Sequence, residues 1–302
     1  MERQGVRQVT TAGLCGLLVL FFLSSVVDGA TYLDDLGRSV TIDEHPQRIV
    51  SLAPNITETL FALGLERQIV GVTLFSTYPA GAREKPRVGS FVNLSLERIV
   101  ALSPDLVVGT ANGTRKETVL QLERMGIATY VIHPREFEDI FVMIENLGEI
   151  TGRVDAADRL VDGLRRRVDR VHALTKEMDR PRVFLQLGIA PLVSVGKDTI
   201  HSRLIVLAGG VNVFGDVEIA YPRVSIEKVM TKKPDIIIIT AMRRGGEFAR
   251  ERKKWKQWTD IPAVRNGRIH VIDSDVADRF SPRIVDGLEA LTGIIHPEGT
   301  MQ

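Results

Sequence analysis

The chain alternates short apolar runs with longer segments in which apolar residues recur every three or four positions. The runs are rich in Val and Ile and are four or five residues long, as expected for buried strands. They fall at 49–52, 69–73, 106–109 and 129–132, and again at 183–187, 236–240 and 269–272. This alternation predicts an α/β fold with mainly parallel sheets.

A long segment without strand signals separates the two groups of runs. Its apolar residues share one helical face: Val154, Ala157, Leu160, Val161, Leu164, Val168, Val171 and Leu174. A helix over 153–176 would be roughly 35 Å long. We therefore predict two α/β lobes joined by a single long interdomain helix, with an N-terminal lobe at 30–150, the helix at 151–179 and a C-terminal lobe at 180–302. The alternative is one larger sheet with a long crossover helix.

The first residues differ in composition from the rest of the chain. Two arginines precede an apolar run at 14–27, and small residues follow it. This order is typical of a secretory signal peptide, and the run is shorter than the roughly 20 residues of a membrane-spanning helix. We predict a cleaved signal peptide at 1–29 and a periplasmic location, with an uncleaved anchor as the alternative. The only cysteine, Cys15, would be removed with the signal.

The charge of the chain does not favour a nucleic-acid partner. Lys and Arg number 39 against 38 for Asp and Glu, so the formal net charge is +1. A basic stretch at 250–256 includes Trp255 and is followed by Trp258, a combination that could contact nucleic acid. A solvated helix face is the favoured interpretation.

Motifs of common catalytic and metal sites are missing from the sequence. The six histidines are widely separated, in no spacing typical of metal ligands. No Gly-x-Gly-x-x-Gly, phosphate-binding lysine loop or Gly-x-Ser-x-Gly is present. We predict no catalytic residues, metal site or cofactor, and an α/β enzyme is a remote alternative.

One unit of the sequence occurs twice, 130 residues apart. SLERIVALSPDLVVGT at 95–110 aligns without gaps to SIEKVMTKKPDIIIIT at 225–240. Each copy predicts a serine cap, a short helix, a Pro-Asp turn and a buried strand. The spacing indicates two lobes of similar build, and the loops after the repeated strands, 111–114 and 241–246, should lie near a cleft at the carboxyl edges of the sheets.

Each copy places a glutamate, Glu97 or Glu227, in the first turn of its helix. The helix dipole alone favours an acidic residue there by roughly 0.3–1 kcal/mol. Two equivalent glutamates, one per lobe, could also bind a two-fold symmetric partner.

Four segments carry a family resemblance. RIVSLAPNITE at 48–58, LERIVALSPDLV at 96–107, VFLQLG at 183–188 and SPRI at 281–284 resemble the periplasmic cobalamin-binding proteins of corrinoid ABC importers. The likeness extends from about residue 37 to 291. This helix-linked class also includes receptors for ferric siderophores and haem. The resemblance implies a monomer that captures a corrinoid between its lobes and delivers it to a membrane permease dimer.

The resemblance also implies roles for particular residues. Glu97 and Glu227 match glutamates that dock on permease arginines. The positions that match ligand contacts are Tyr78, Phe91, Tyr221, Asp275 and Arg279. The family has tryptophan at two of these positions, where this chain has Phe91 and Tyr221, and an aromatic face could also contact haem or a siderophore. Half-buried Tyr-Pro turns and a local Asp275–Arg279 ion pair are the alternatives.

Overall fold

A computed structural model describes residues 29–241 and 247–298. The first lobe begins with an antiparallel hairpin that the sequence pattern did not predict. Its elements are β1 Ala30–Leu33, β2 Ser39–Ile42, β3 Ile49–Ser51, α1 Pro54–Ala62, β4 Ile69–Val72, a 3-10 helix Ala80–Glu84, α2 Leu96–Ala101, β5 Leu106–Thr110, α3 Lys116–Arg124, β6 Ala128–Ile132 and α4 Asp139–Ile150. Strands β3 to β6 form one parallel sheet in the order β4-β3-β5-β6.

The long helix α5 spans Val154–Thr175, one residue inside each predicted end. Val161, Leu164 and Val171 are buried on its predicted apolar face. The helix packs against α4 on one side and, on the other, against two helices of the second lobe.

The second lobe repeats the parallel sheet of the first. Its elements are β7 Arg182–Gln186, β8 Gly188–Ile189, β9 Leu192–Val193, α6 Ile200–Leu207, β10 Val211–Asn212, α7 Ile226–Lys232, β11 Ile236–Ala241, α8 Glu247–Trp255, α9 Pro262–Arg265, β12 Ile269–Asp273, α10 Ser274–Ala277 and α11 Ile284–Ile295. The sheet order is β10-β7-β11-β12, and α5 contacts α6 and α11. Two separate four-stranded sheets exclude the single larger sheet that was the alternative.

Both sheets are buried on both faces because their strands are continuous apolar runs. On the inner faces, residues such as Leu106 and Ile238 join one core that also includes α4, α5 and α11. On the outer faces, Val107 packs with α2 and α3, and Ile237 packs with α7, α8 and α9. The repeated helices α2 and α7 therefore occupy equivalent outer layers.

Several predictions concern residues or boundaries that the structure does not test. The signal peptide at 1–29 falls almost entirely outside the described residues, as does the loop at 241–246 beyond Ala241. The lobe boundaries at 150 and 180 stay predictions. No helix within residues 29–241 and 247–298 is long and apolar enough to cross a membrane.

Candidate ligand-binding cleft

The two copies of the repeat start their helices in the same way. Ser95 Oγ accepts a hydrogen bond from Arg98 N at 3.3 Å, and Ser225 Oγ accepts one from Lys228 N at 3.3 Å. Each serine is therefore an N-cap, as predicted.

The helix ends are also equivalent. Ser103 and Lys233, which are 130 residues apart, both have a left-handed backbone with φ of 44°. Each precedes a Pro-Asp pair, and the aspartate accepts backbone hydrogen bonds from the start of the neighbouring strand: Asp105 from Arg48 N at 2.9 Å, and Asp235 from Arg182 N at 2.9 Å. The duplication is therefore preserved in hydrogen bonding as well as in sequence.

Glu97 and Glu227 are exposed in the first turns of these helices. Within the described parts of the chain, neither forms an ion pair with a basic side chain. A hydrogen bond with Ser225 and a backbone N–H at the helix start lower the pKa of Glu227 below its usual value. The lowered pKa keeps Glu227 charged at neutral pH, and both carboxylates are accessible to a partner.

The first lobe presents aromatic rings on loops that follow the carboxyl ends of its strands. Tyr78, in the segment after β4, is 46% exposed and precedes a cis bond to Pro79. Phe91 lies against the 111–114 loop, because a Cβ added at Gly113 would be 1.9 Å from the Cζ of its ring. Only glycine at 113 leaves room for this ring, so the loop after β5 and Phe91 form one surface.

Tyr221 is the corresponding exposed ring of the second lobe, in the segment after β10. It is 48% exposed, and its ring meets the edge of the His201 ring at a centroid distance of 5.9 Å. His201 is buried, and its Nε2 lies 3.2 Å from Asp278 Oδ1. Burial and then the Asp278 charge raise the pKa of Tyr221, so its phenol stays protonated at neutral pH.

The segment from α10 to α11 connects the lobes through a buried carboxylate. Glu58 of α1 has a side chain that is 2% exposed. Its Oε2 accepts a hydrogen bond from Ser281 Oγ at 2.6 Å, and its Oε1 accepts one from Arg279 Nη1 at 2.8 Å. Arg283 Nη1 lies 3.5 Å from Oε1. Arg279 also binds Asp275 Oδ1 at 2.5 Å, so the local ion pair considered as an alternative is present.

Burial is the largest influence on the Glu58 carboxyl. It raises the pKa above the usual value, although the hydrogen bond from Ser281 and the charges of Arg279 and Arg283 act in the opposite direction. We call Glu58, Arg279, Ser281 and Arg283 the interlobe cluster.

Arg283 extends the interlobe cluster to one of the predicted ligand-contacting rings. Its guanidinium lies over the Tyr78 ring, with Cζ 3.9 Å from the ring centroid. Beside it, Asn55 Nδ2 donates to the Phe280 carbonyl at 3.3 Å. Three of the predicted ligand residues, Tyr78, Asp275 and Arg279, are therefore part of one network that crosses between the lobes.

The remaining two predicted residues are connected less directly. Tyr221 reaches the same segment through His201 and Asp278, whereas Phe91 contacts only the first-lobe loop among the contacts described above. Glu58, Ser281, Arg283, His201 and Asp278 were not predicted as site residues. Glu58, Ser281 and Arg283 could have been noticed, because all three lie in segments that carry the family resemblance.

A cavity between the lobes lies beside α6. Its volume is about 330 Å³, and its lining includes Arg135, Glu136, Lys197, Asp198 and Arg203. The five predicted ligand residues are not part of this lining. Phe137, Ile200 and Val206 also line it, so this cavity combines charged and apolar surface.

The basic stretch at 250–256 does not combine cations with an exposed aromatic ring as a nucleic-acid site would. Trp255 is 2% exposed and donates through Nε1 to Gln186 Oε1 at 2.7 Å. Within the part of the chain that the structure describes, no three His, Cys, Asp or Glu side chains are grouped to hold a metal ion.

Two similar lobes joined by one helix, with side chains that meet between the segments following their strands, define a two-lobed binding protein. The periplasmic binding protein family model matches residues 49–276, and the chain belongs to this family. It is 31% identical over 261 residues to the vitamin B12-binding protein of Vibrio parahaemolyticus, covering 85% of this chain and 92% of that relative.

Two solved structures extend this likeness. The periplasmic vitamin B12 binding protein BtuF of Vibrio cholerae superposes with a TM-score of 0.73 at 28% identity, covering 85% of this chain and 99% of BtuF. The periplasmic heme-binding protein RhuT of Roseiflexus superposes with a TM-score of 0.75 at 27% identity, covering 84% of this chain and 99% of RhuT. Each of these relatives is named as a binding protein.

Proposed function

We propose that this protein captures a corrinoid, such as cobalamin, in the cleft between its lobes and delivers it to an ABC importer. The observation that carries the proposal is the pair of half-exposed tyrosine rings, Tyr78 and Tyr221, one from each lobe. A corrin is a broad apolar face with amides at its rim. Flat aromatic rings suit the face, and a few polar groups such as Asp275 and Arg279 suit the rim.

The similarity to proteins named for vitamin B12 supports the corrinoid. Haem is the second candidate, because the heme-binding RhuT shares the fold and a tyrosine oxygen can ligate haem iron. The raised pKa of Tyr221 disfavours the phenolate that such a bond requires at that residue. Tyr78 is the half-exposed tyrosine of the first lobe that could supply the oxygen instead. A ferric siderophore remains the third ligand class of the sequence-based hypothesis.

The proposed partner is a permease dimer in the membrane, with the protein acting as a periplasmic monomer. Glu97 and Glu227 are exposed at equivalent positions of the two lobes, as a partner with two-fold symmetry requires. A single exposed ion pair contributes under about 1 kcal/mol. Two pairs held on one body would act together, because the second contact forms at a high effective concentration.

Ligand binding by the purified mature protein tests the ligand. Calorimetry with cyanocobalamin, haemin and a ferric hydroxamate should give saturable heat with cyanocobalamin and a red protein after gel filtration. Binding of haemin or the ferric hydroxamate without cyanocobalamin binding would overturn the corrinoid proposal. A Tyr78→Phe variant adds a control, because it keeps the ring that a corrin would contact and removes the oxygen that haem iron would need.

A further inference from the structure

Within the described residues, Glu58 is the only carboxylate of the first lobe that forms direct hydrogen bonds with Arg279 and Ser281. Glu58 lies in the middle of α1, among the buried side chains of Ile56, Thr57, Thr59 and Leu60. A buried carboxylate in such a helix costs free energy unless its oxygens are hydrogen-bonded and its charge is balanced. Here every partner comes from the second lobe, between 221 and 225 residues further along the chain.

The same arginines contact the cleft. Arg279 binds Glu58 through Nη1 and Asp275 through Nη2, so its planar guanidinium is fixed at both ends. Arg283 is held between the Glu58 carboxylate and the face of the Tyr78 ring. Movement of Glu58 would therefore release one proposed polar ligand contact and the support of one aromatic contact.

We propose that Glu58 is a positioning residue of the cleft, which holds Arg279 and Arg283 of the second lobe against the first lobe and thereby fixes the ligand-contacting side chains. The role rests on the proposed function in one respect, since it takes Tyr78 and Arg279 as ligand contacts. Glu58 itself is buried beneath them and needs no contact with the ligand.

The physical effect of Glu58 is preorganisation. A site whose side chains are already ordered loses less entropy when the ligand binds. Removing the carboxylate leaves two partly buried guanidinium groups without their shared counter-charge, and such groups move toward water. The expected result is a wider range of lobe separations and weaker binding, without any change in the groups that face the ligand.

The test uses Glu58→Gln, which keeps the shape of the side chain and removes its charge, with Glu66→Gln as the matched control. Glu66 is exposed in the same lobe, just after α1. Nitroxide labels at Lys116→Cys and Arg252→Cys, both exposed and in different lobes, report the lobe separation by pulsed electron resonance in a Cys15→Ser chain. Ligand affinity is measured in parallel on unlabelled protein.

We expect a single narrow distance distribution for the parent and for Glu66→Gln, and a broader one with longer distances for Glu58→Gln. Cyanocobalamin affinity should fall about tenfold in Glu58→Gln only. An unchanged distribution, or a broadened one with unchanged affinity, would overturn the positioning role.

Two further outcomes are separable. If Glu58→Gln does not fold, Ser281→Ala removes one hydrogen bond to the carboxylate and keeps all charges. This variant should broaden the distance distribution to a smaller extent, and no broadening would overturn the positioning role.

If the parent protein does not bind cyanocobalamin, the proposed ligand is wrong. The distance measurement then still decides whether Glu58 holds the lobes, and the affinity arm uses whichever of haemin and the ferric hydroxamate binds.

Discussion

Glutamate occurs in opposite environments in two regions of the molecule. We call the exposed starts of α2 and α7 the outer face, and the interlobe cluster the cleft floor. On the outer face, Glu97 and Glu227 are exposed, each on its own lobe and without an ion pair in the described structure. On the cleft floor, Glu58 is buried and bonded to the other lobe. An exposed carboxylate is available to an external partner, whereas a buried one is committed to internal partners. Substitutions in the two regions should therefore change different steps of transport.

The largest effect is expected at the outer face. Glu97→Lys combined with Glu227→Lys should reduce uptake of labelled cobalamin at least about a hundredfold, because two contacts that act together are both converted to repulsion. Calorimetry should give an affinity close to that of the parent protein. Uptake is measured in cells that depend on this chain for cobalamin.

The matched control for charge reversal is Glu66→Lys with Glu117→Lys, which changes the net charge by the same amount at exposed sites outside the repeat. Uptake should be retained in this control. Uptake that survives in the Glu97 and Glu227 double variant would remove the docking role from both residues.

A smaller effect, confined to binding, is expected from the cleft rings. Tyr78→Ala and Tyr221→Ala should each weaken cyanocobalamin binding about tenfold, since an aromatic contact contributes on the order of 1 kcal/mol beyond the area that it buries. Tyr221→Phe keeps the ring and should bind as the parent does. Affinity unchanged in both alanine variants would place the ligand elsewhere, and the charged cavity beside α6 would be the next candidate.

The smallest effect is a difference in titration between the two regions. Burial raises the pKa of Glu58 above the usual 4.5, and hydrogen bonds at the helix start lower that of Glu227 below 4.5. On acidification Glu58 should therefore take up its proton first. Carboxyl carbon NMR resolves the two midpoints, and the reverse order would contradict the contrast between the regions.

The stability consequence of the Glu58 shift has a definite sign. Because the folded-state pKa is raised, the folded protein binds the proton more tightly than the unfolded chain does. The stabilisation from this bound proton is fully present below the pKa that Glu58 has in the unfolded chain. It is lost as the pH rises through the higher pKa that Glu58 has in the folded protein. Glu58→Gln should flatten this part of the stability profile, as urea unfolding at several pH values would detect.

The contrast also explains what could be predicted from the sequence. The seven predicted strands, α5 and the serine caps of α2 and α7 depend on local periodicity and on residues within a few positions of each other. The bounds of those strands and of α5 were predicted to within one or two residues, whereas the two-residue strands β8, β9 and β10 were not predicted. The hairpin of β1 and β2 was missed, because its strands alternate exposed residues with more buried ones and do not form continuous apolar runs.

The cleft floor depends on contacts that no local pattern encodes. The spacing of Asp275 and Arg279 suggested their ion pair, since residues four apart on a helical turn are neighbours. Nothing in the spacing connects Arg279 to Glu58, which lies 221 residues earlier. The position of Phe91 over Gly113 likewise depends on two loops that approach each other only in the folded lobe.

The long sequence separation within the interlobe cluster has a consequence for folding. All strands of the first sheet lie within residues 49–132, so that lobe can complete its hydrogen-bonded sheet from the first half of the chain. Glu58 cannot form its hydrogen bonds at this stage, because its partners are among the last 20 residues of the described chain to be synthesised. Until the second lobe docks, its carboxylate remains hydrated. A chain arrested at this stage would have a folded first lobe with the surface around Glu58 still exposed to water. A protease or a chaperone could recognise that surface and so distinguish the intermediate from the mature protein.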